Sequence, residues 1–253
     1  VLRDLLEALS ASGNRFVLTT RYVARAHRLL RDASARFEVM HVGSMTHDEV
    51  VDMLAPFFNG YEQMATDDRD YLARAVLALT DGRAAYVRAL GEQMAHLGGP
   101  ADAVTALTVL LAPEGALALA CRYSYELRLH RARGYGALKA ILDILAEEEG
   151  ITLTRISHEL RRTPGSTKDY LSWLEDVDLV TARQKRYSYS DPLLRAWVRL
   201  YCRATAPSDD DLAREVHRYA APRLPQPQDP QSAPAEAQYA MTAAPSSGII
   251  EID

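Results

Sequence analysis

Two groups of residues in this chain carry side chains suited to holding phosphate. The first is Thr19-Thr20-Arg21, which follows the apolar run Phe16-Val17-Leu18. A guanidinium at the tip of a strand can give charge-assisted hydrogen bonds to a γ-phosphate, and so distinguish a triphosphate from a diphosphate. The neighbouring hydroxyls either support such a site or satisfy their own backbone. The second group is Arg155, Arg161, Arg162, Lys168, Arg183, Lys185 and Arg186, spread over two expected helices, the turn between them and a hairpin. Brought to one face, these cations would neutralise the backbone of double-stranded DNA. The alternative is a solvated or protein-docking basic face. The helix that carries Lys168 also carries Asp169, Glu175 and Asp176, and Asp178 follows it. Lys168 and Tyr170 stand early enough on that helix to reach a groove, but little else there could read bases.

Other chemistries lack their residues. The histidines are scattered without metal-ligand spacing, and His158-Glu159 has no second histidine four positions on. Glu147-Glu148-Glu149 reads as a solvated helix end, and no Ser-His-Asp or Cys-His arrangement suggests nucleophilic catalysis. No catalytic residue and no metal ligand is therefore assigned. Cys121 and Cys202 read as buried thiols of a reducing cytoplasm, not as a disulfide framework. A net charge of −5 gives no global field toward nucleic acid or anionic lipid, so any basic surface must be local. The longest apolar run, around Ala116 to Ala120, is too short to span a bilayer, and no membrane partner is expected.

The elements that must position these residues follow from periodicity. Leu2, Leu5, Leu6 and Leu9 share one helical face, and Ser12-Gly13-Asn14 breaks that helix. Phe16-Val17-Leu18 is expected as a buried strand, Val23 to Leu30 as a short basic helix, and Phe37 to Val42 as a second strand. Strand, helix and strand in that order suit a parallel sheet. From Ser44 onward the pattern is helical. Thr46 with Glu49 forms a capping box, Asp67 to Leu79 places Tyr71, Leu72, Ala75, Val76 and Leu79 inward, and three more helices run to Arg128. After Arg133-Gly134 come helices at Tyr135 to Glu147, at Thr152 to Leu160 and from a Ser166 cap, then a hairpin around Arg183-Gln184-Lys185. Three helices followed by a basic hairpin is the winged helix-turn-helix pattern. Asp191 caps a last apolar helix with Pro192 at its first position, and Trp173 and Trp197 read as core anchors. A charged helix from Asp209 to Tyr219 is followed from Pro222 by sequence too rich in Pro, Gln, Ala and Ser to fold.

Taken together these segments resemble the archaeal-type ATPase family of the STAND class of AAA+-related P-loop NTPases, over about Val1 to Tyr201. Phe16-Val17-Leu18-Thr19-Thr20-Arg21 resembles the family's sensor-1 strand and its arginine. Phe37 to Met45 resembles the next strand and its exit into the lid helices. Leu79-Thr80-Asp81-Gly82-Arg83-Ala84-Ala85-Tyr86-Val87 is similar to a lid segment that usually reads Gly-x-Pro and then an aromatic; Ala84 stands in the proline's place. The passage Asp191-Pro192-Leu193-Leu194-Arg195-Ala196-Trp197 resembles the Asp-Pro-apolar-Arg-x-Trp run that follows the wing. The resemblance implies Arg21, Thr19 and Thr20 as nucleotide-sensing residues, Gly82 and Tyr86 as lid residues, and ATP with Mg²⁺ as cofactors of the intact protein. Nucleotide and a further protein are the implied partners.

The family's phosphate loop is missing from residues 1–253. Pro164-Gly165-Ser166-Thr167-Lys168 has the order reversed and lies inside the expected helix-turn-helix, and no strand ends in paired acids for Mg²⁺. The chain is thus expected to be the C-terminal part of an ATP-dependent switch, unable to hydrolyse ATP alone. The expected architecture is mixed and mostly α. Residues 1–43 form a partial parallel α/β P-loop NTPase sheet and 44–130 a helical lid. A winged helix-turn-helix with a C-terminal helix follows over 131–203, and 204–253 are a mostly disordered tail. A DNA-binding transcriptional regulator is the second reading.

Overall fold

The computed structural model describes residues 4, 8–9, 11–13, 15–20, 22–31, 38–58, 63–98, 103–130 and 134–226. Its helices are α1 (Val23–Arg31), α2 (His47–Leu54), α3 (Thr66–Thr80), α4 (Ala84–His96), α5 (Ala103–Leu111), α6 (Ala116–His130) and α7 (Tyr135–Glu147). Strand β1 (Ile151–Thr152) leads into α8 (Leu153–Leu160) and α9 (Pro164–Asp176), then strands β2 (Val180–Arg183) and β3 (Arg186–Tyr189), and helices α10 (Pro192–Tyr201) and α11 (Asp209–Ala220). The protein is mostly helical with one small antiparallel sheet.

Local chemistry sets most boundaries. Thr46 Oγ1 accepts from Glu49 N, and the Glu49 carboxylate accepts from Thr46 N at 2.7 Å, so the expected capping box opens α2. Asp81 in the left-handed region, followed by Gly82 at φ +65°, closes α3. Thr152 caps α8 as expected. The cap of α9 is Thr163, which accepts from Ser166 N, and not Ser166 itself; Pro164 then sits at the first helical position. The hairpin turn is Gln184-Lys185, both with positive φ, the mirror-image geometry that matches the twist of its strands. β3 lies centrally, antiparallel to β2 on one side and to β1 on the other, with Ile151 opposite Tyr187 and Val180 opposite Tyr189.

Two hydrophobic cores share two helices. The first gathers α2 to α5 with Leu212, Val216 and Tyr219 of α11. The second gathers Leu138, Ile141, Leu142 and Leu145 of α7 with Ile156, Leu171, Leu174 and the hairpin. α6 gives Leu117 to the first and Ala118, Cys121, Tyr125 and Leu129 to the second. α10 gives Leu193, Ala196 and Leu200 to one side and Leu194, Trp197 and Val198 to the other. α10 presents apolar residues to both cores and keeps Arg195 and Arg199 on a third stripe, so it is the beam on which both cores rest.

Several expectations are corrected. Residues 15–20 and 38–46 form no strand, and no parallel pairing exists among the described residues. Val17 is 91% and Met40 83% exposed, so the apolar runs taken for buried strands have no neighbours to bury them. Tyr71 is exposed, its inward place being taken by Ala73. Glu147 and Glu148 are exposed at the end of α7 as expected, and each carboxylate of the Glu147-Glu148-Glu149 run also faces an arginine. The helix expected from Asp209 forms, yet it packs into the first core, so the folded region runs past 204. The helix expected over Val1 to Leu9 falls mostly outside the described residues, as do residues 227–253.

Candidate functional site

The most connected polar cluster lies at the head of α10. Asp191 Oδ1 accepts from Leu193 N and Leu194 N, capping the helix. Its second oxygen accepts from the Tyr86 hydroxyl at 2.7 Å. Arg83 donates to the Ser190 carbonyl at 2.7 Å and holds Nε 3.7 Å from Asp191 Oδ2, with its guanidinium beside the Tyr86 ring. Arg83 and Tyr86 start α4, so this cluster bolts the helical bundle to the beam. One step back, Met45 N donates to the Gly82 carbonyl at 2.7 Å. A side chain at Gly82 would meet the Met45 carbonyl, so the chain entering α2 lies directly on this turn.

The cluster is built for structure and not for reactivity. Burial, and then the Asp191 carboxylate, push the Tyr86 hydroxyl far above the usual phenol range. The same two causes push the Cys121 thiol up to about 12. Neither group supplies a nucleophile near neutral pH.

The first turn of α10 is also fastened to the end of α7. Arg195 gives Nε to the Ala146 carbonyl and Nη1 to Glu149 Oε2, both at 3.0 Å, and Nη2 to the Glu147 carbonyl. A cation on the last carbonyls of a helix is favourable, since they carry its negative dipole end. Glu149 in turn accepts from Tyr189 N at the end of β3. Trp197 stacks at a tilt against Tyr125 and Tyr201 in the second core. Trp173 is half-buried against it.

Of the expected nucleotide-sensing residues, Arg21 lies outside the described residues. Thr19 and Thr20 are exposed, and Thr20 Oγ1 accepts from Tyr22 N, a local bond. Three residues after Thr20, Val23 N donates to Asp178 Oδ2 at 2.9 Å, just past α9, and Tyr22 packs on the second core. Gly82 and Tyr86 are committed to Met45 and Asp191. These described residues form no cradle for ATP, and among the described residues no group of three metal-ligating side chains stands ready for Mg²⁺.

The seven basic residues divide. Arg155 is spent on acids: a bidentate pair with Glu148 at 2.7 and 2.6 Å and a contact with Glu159 at 3.1 Å. Arg186 donates to the Gly150 carbonyl at 2.7 Å while remaining exposed. Arg161, Arg162, Lys168, Arg183 and Lys185 are exposed. Arg161 and Arg162 line an open groove with Ser157, His158, Thr163 and Ser166, beside the start of α9. Arg162 also lies over the Tyr170 ring.

The contacts that Arg83, Glu149 and Arg195 make across elements have no local signal in the sequence. Arg195 carried a signal in the Asp-Pro-Leu-Leu-Arg run, but its partners lie 46 to 49 positions away. No protein-family model, no curated protein and no solved structure matches this chain. No single helix among the described residues is long and apolar enough to cross a membrane.

Proposed function

We propose that this chain is the sensing and coupling part of an ATP-dependent molecular switch of the STAND type, with a winged helix-turn-helix as its output element. The observation that carries this reading is a continuous polar path. It runs from the exposed stretch at 38–46 through Met45 to Gly82, then through Arg83 and Tyr86 to Ser190 and Asp191, at the head of the helix shared by both cores. A displacement of the 38–46 stretch would be carried to α10 through these bonds. The stretch at Thr19-Thr20 has its own route, through Val23 to Asp178 at the end of α9.

The order α7, β1, α8, α9, β2, β3, with β3 central in the sheet, supports the winged-helix assignment. The grip on ATP and Mg²⁺ is assigned to residues other than the described ones, and the role of this chain is to read and relay. Replacing Arg21 by Ala in the protein as cells produce it tests the reading. Conformational response to ATP against ADP is expected to vanish with the fold intact, and an unchanged response would defeat it.

A second reading, a DNA-binding regulator, rests on the groove that puts Arg161 and Arg162 beside the start of α9. Salt-dependent binding of duplex DNA, weakened by alanine at Arg183, Lys185 and Arg186, is its test. Absence of binding at low salt sets it aside.

A further inference from the structure

A second cavity, of about 330 Å³, lies between α10, the loop after it and α11. Four arginines line it, Arg199, Arg203, Arg214 and Arg218, against two carboxylates, Asp211 and Glu215. Arg199 forms the floor. Its side chain is 4% exposed, with Nε 2.8 Å from Glu215 Oε1 and Nη1 donating to the Ala146 carbonyl at 3.2 Å. That guanidinium cannot swing away, and it occupies one oxygen of Glu215. Arg214 sits 3.2 Å from Asp211.

The other two arginines are held loosely. Arg203 stands 3.6 Å from Glu147, and Arg218 stands 3.8 Å from the second oxygen of Glu215. Both separations exceed a good N–H···O bond, so neither guanidinium is saturated by its acid. The four lining arginines face Asp211, Glu215 and, beside Arg203, Glu147, which leaves an excess of one positive charge in a chain whose net charge is −5. A mouth with two exposed guanidiniums above a buried one suits an anionic ligand whose oxygens diverge.

We propose that this cavity binds a small phosphate monoester as its dianion. Arg203 and Arg218 close on the phosphoryl oxygens, Arg199 sets the potential beneath them, and the Thr205 hydroxyl at the rim is a further donor. The volume accommodates a phosphate with a small organic body, at the low end for ligand sites. The site shares no residue with the Thr19–Arg21 stretch or with the basic residues of the hairpin unit, so it stands apart from the nucleotide reading. Its occupation would pin α11 to α10, the helix common to both cores.

Titration calorimetry of the chain with glycerol 3-phosphate is the test, with sodium chloride holding ionic strength constant and succinate as a dicarboxylate control. Saturable binding is expected, weakened about 10-fold or more in Arg203→Ala/Arg218→Ala. Both side chains are more than half exposed, so the double variant is expected to unfold at the wild-type temperature. Arg21→Ala is expected to leave the titration unchanged, which separates this site from the switch. No saturable heat, equal affinity in the double variant, or succinate binding as tightly as the phosphate ester each overturns the proposal.

Discussion

Tyr86 and Asp191 meet at 2.7 Å although 105 positions separate them in sequence. One side chain opens α4 of the bundle and the other caps the helix that both cores share. Because Asp191 also accepts two backbone amides, the bond to Tyr86 fixes where α10 begins and how the bundle sits on it.

Removing either partner costs stability unequally. Tyr86→Phe loses one hydrogen bond to a buried carboxylate, about 1–2 kcal/mol. Asp191→Ala removes the helix cap and strands the buried hydroxyl, about 2–4 kcal/mol. Urea unfolding of both variants and the double variant is expected to give less than the sum of the two. Strict additivity contradicts the pairing.

Gly82 is expected to be costlier to replace than Gly150, though both hold positive φ. A Cβ at Gly150 meets nothing within 4 Å, whereas at Gly82 it would lie 2.8 Å from the Met45 carbonyl oxygen. Gly150→Ala should lose about 1 kcal/mol from backbone conformation alone, and Gly82→Ala about 2–3 kcal/mol. Equal losses by chemical unfolding would mean that the 44–46 stretch does not rest on the turn.

Alkaline pH is expected to weaken the fold through Cys121. Its folded-state thiol is raised from 9.0 to about 12, so the native state favours the protonated form. The resulting stabilisation is complete below pH 9 and is lost between about 9 and 12, at up to roughly 1.4 kcal/mol per pH unit. Cys121→Ala should flatten stability between pH 9 and 10.5 relative to wild type. An unchanged slope in that window contradicts the assignment.

Among the basic residues, Arg155 should contribute nothing to duplex binding, because Glu148 and Glu159 already hold its guanidinium. Arg161→Ala/Arg162→Ala is expected to lower the slope of log affinity against log salt by roughly 2, with Arg155→Ala leaving it unchanged. A fall in slope on removing Arg155 would show that its acids release it to phosphate.

Much of this architecture was legible because its signals are local. The capping box at Thr46 and Glu49, the Asp191-Pro192 start of α10 and the 3.6-residue stripe of α7 each lie within a few positions. What failed depended on distant partners. Phe16-Val17-Leu18 has the composition of a strand, but a strand exists only by pairing, and no partner stands beside it among the described residues. The pairing of the Glu147-Glu148-Glu149 run is hidden because Arg155, Arg195 and Arg203 approach it from other elements. At the Tyr86–Asp191 junction each residue carries a local signal, but the 105 positions between them hide the bond. α11 looked like part of a tail because its charge hides a narrow stripe of Leu212, Val216 and Tyr219.

The central claim is that nucleotide state reaches α10 through the Gly82–Tyr86–Asp191 path. Hydrogen–deuterium exchange on the protein as cells produce it, in ATP and in ADP, reads this at the amides of Leu193 and Leu194, which Asp191 holds. Different protection of these amides is expected in the two nucleotides, with loss of that difference in Tyr86→Phe, which removes the bond to Asp191. Identical exchange in ATP and ADP, or a difference that persists in Tyr86→Phe, would contradict the path.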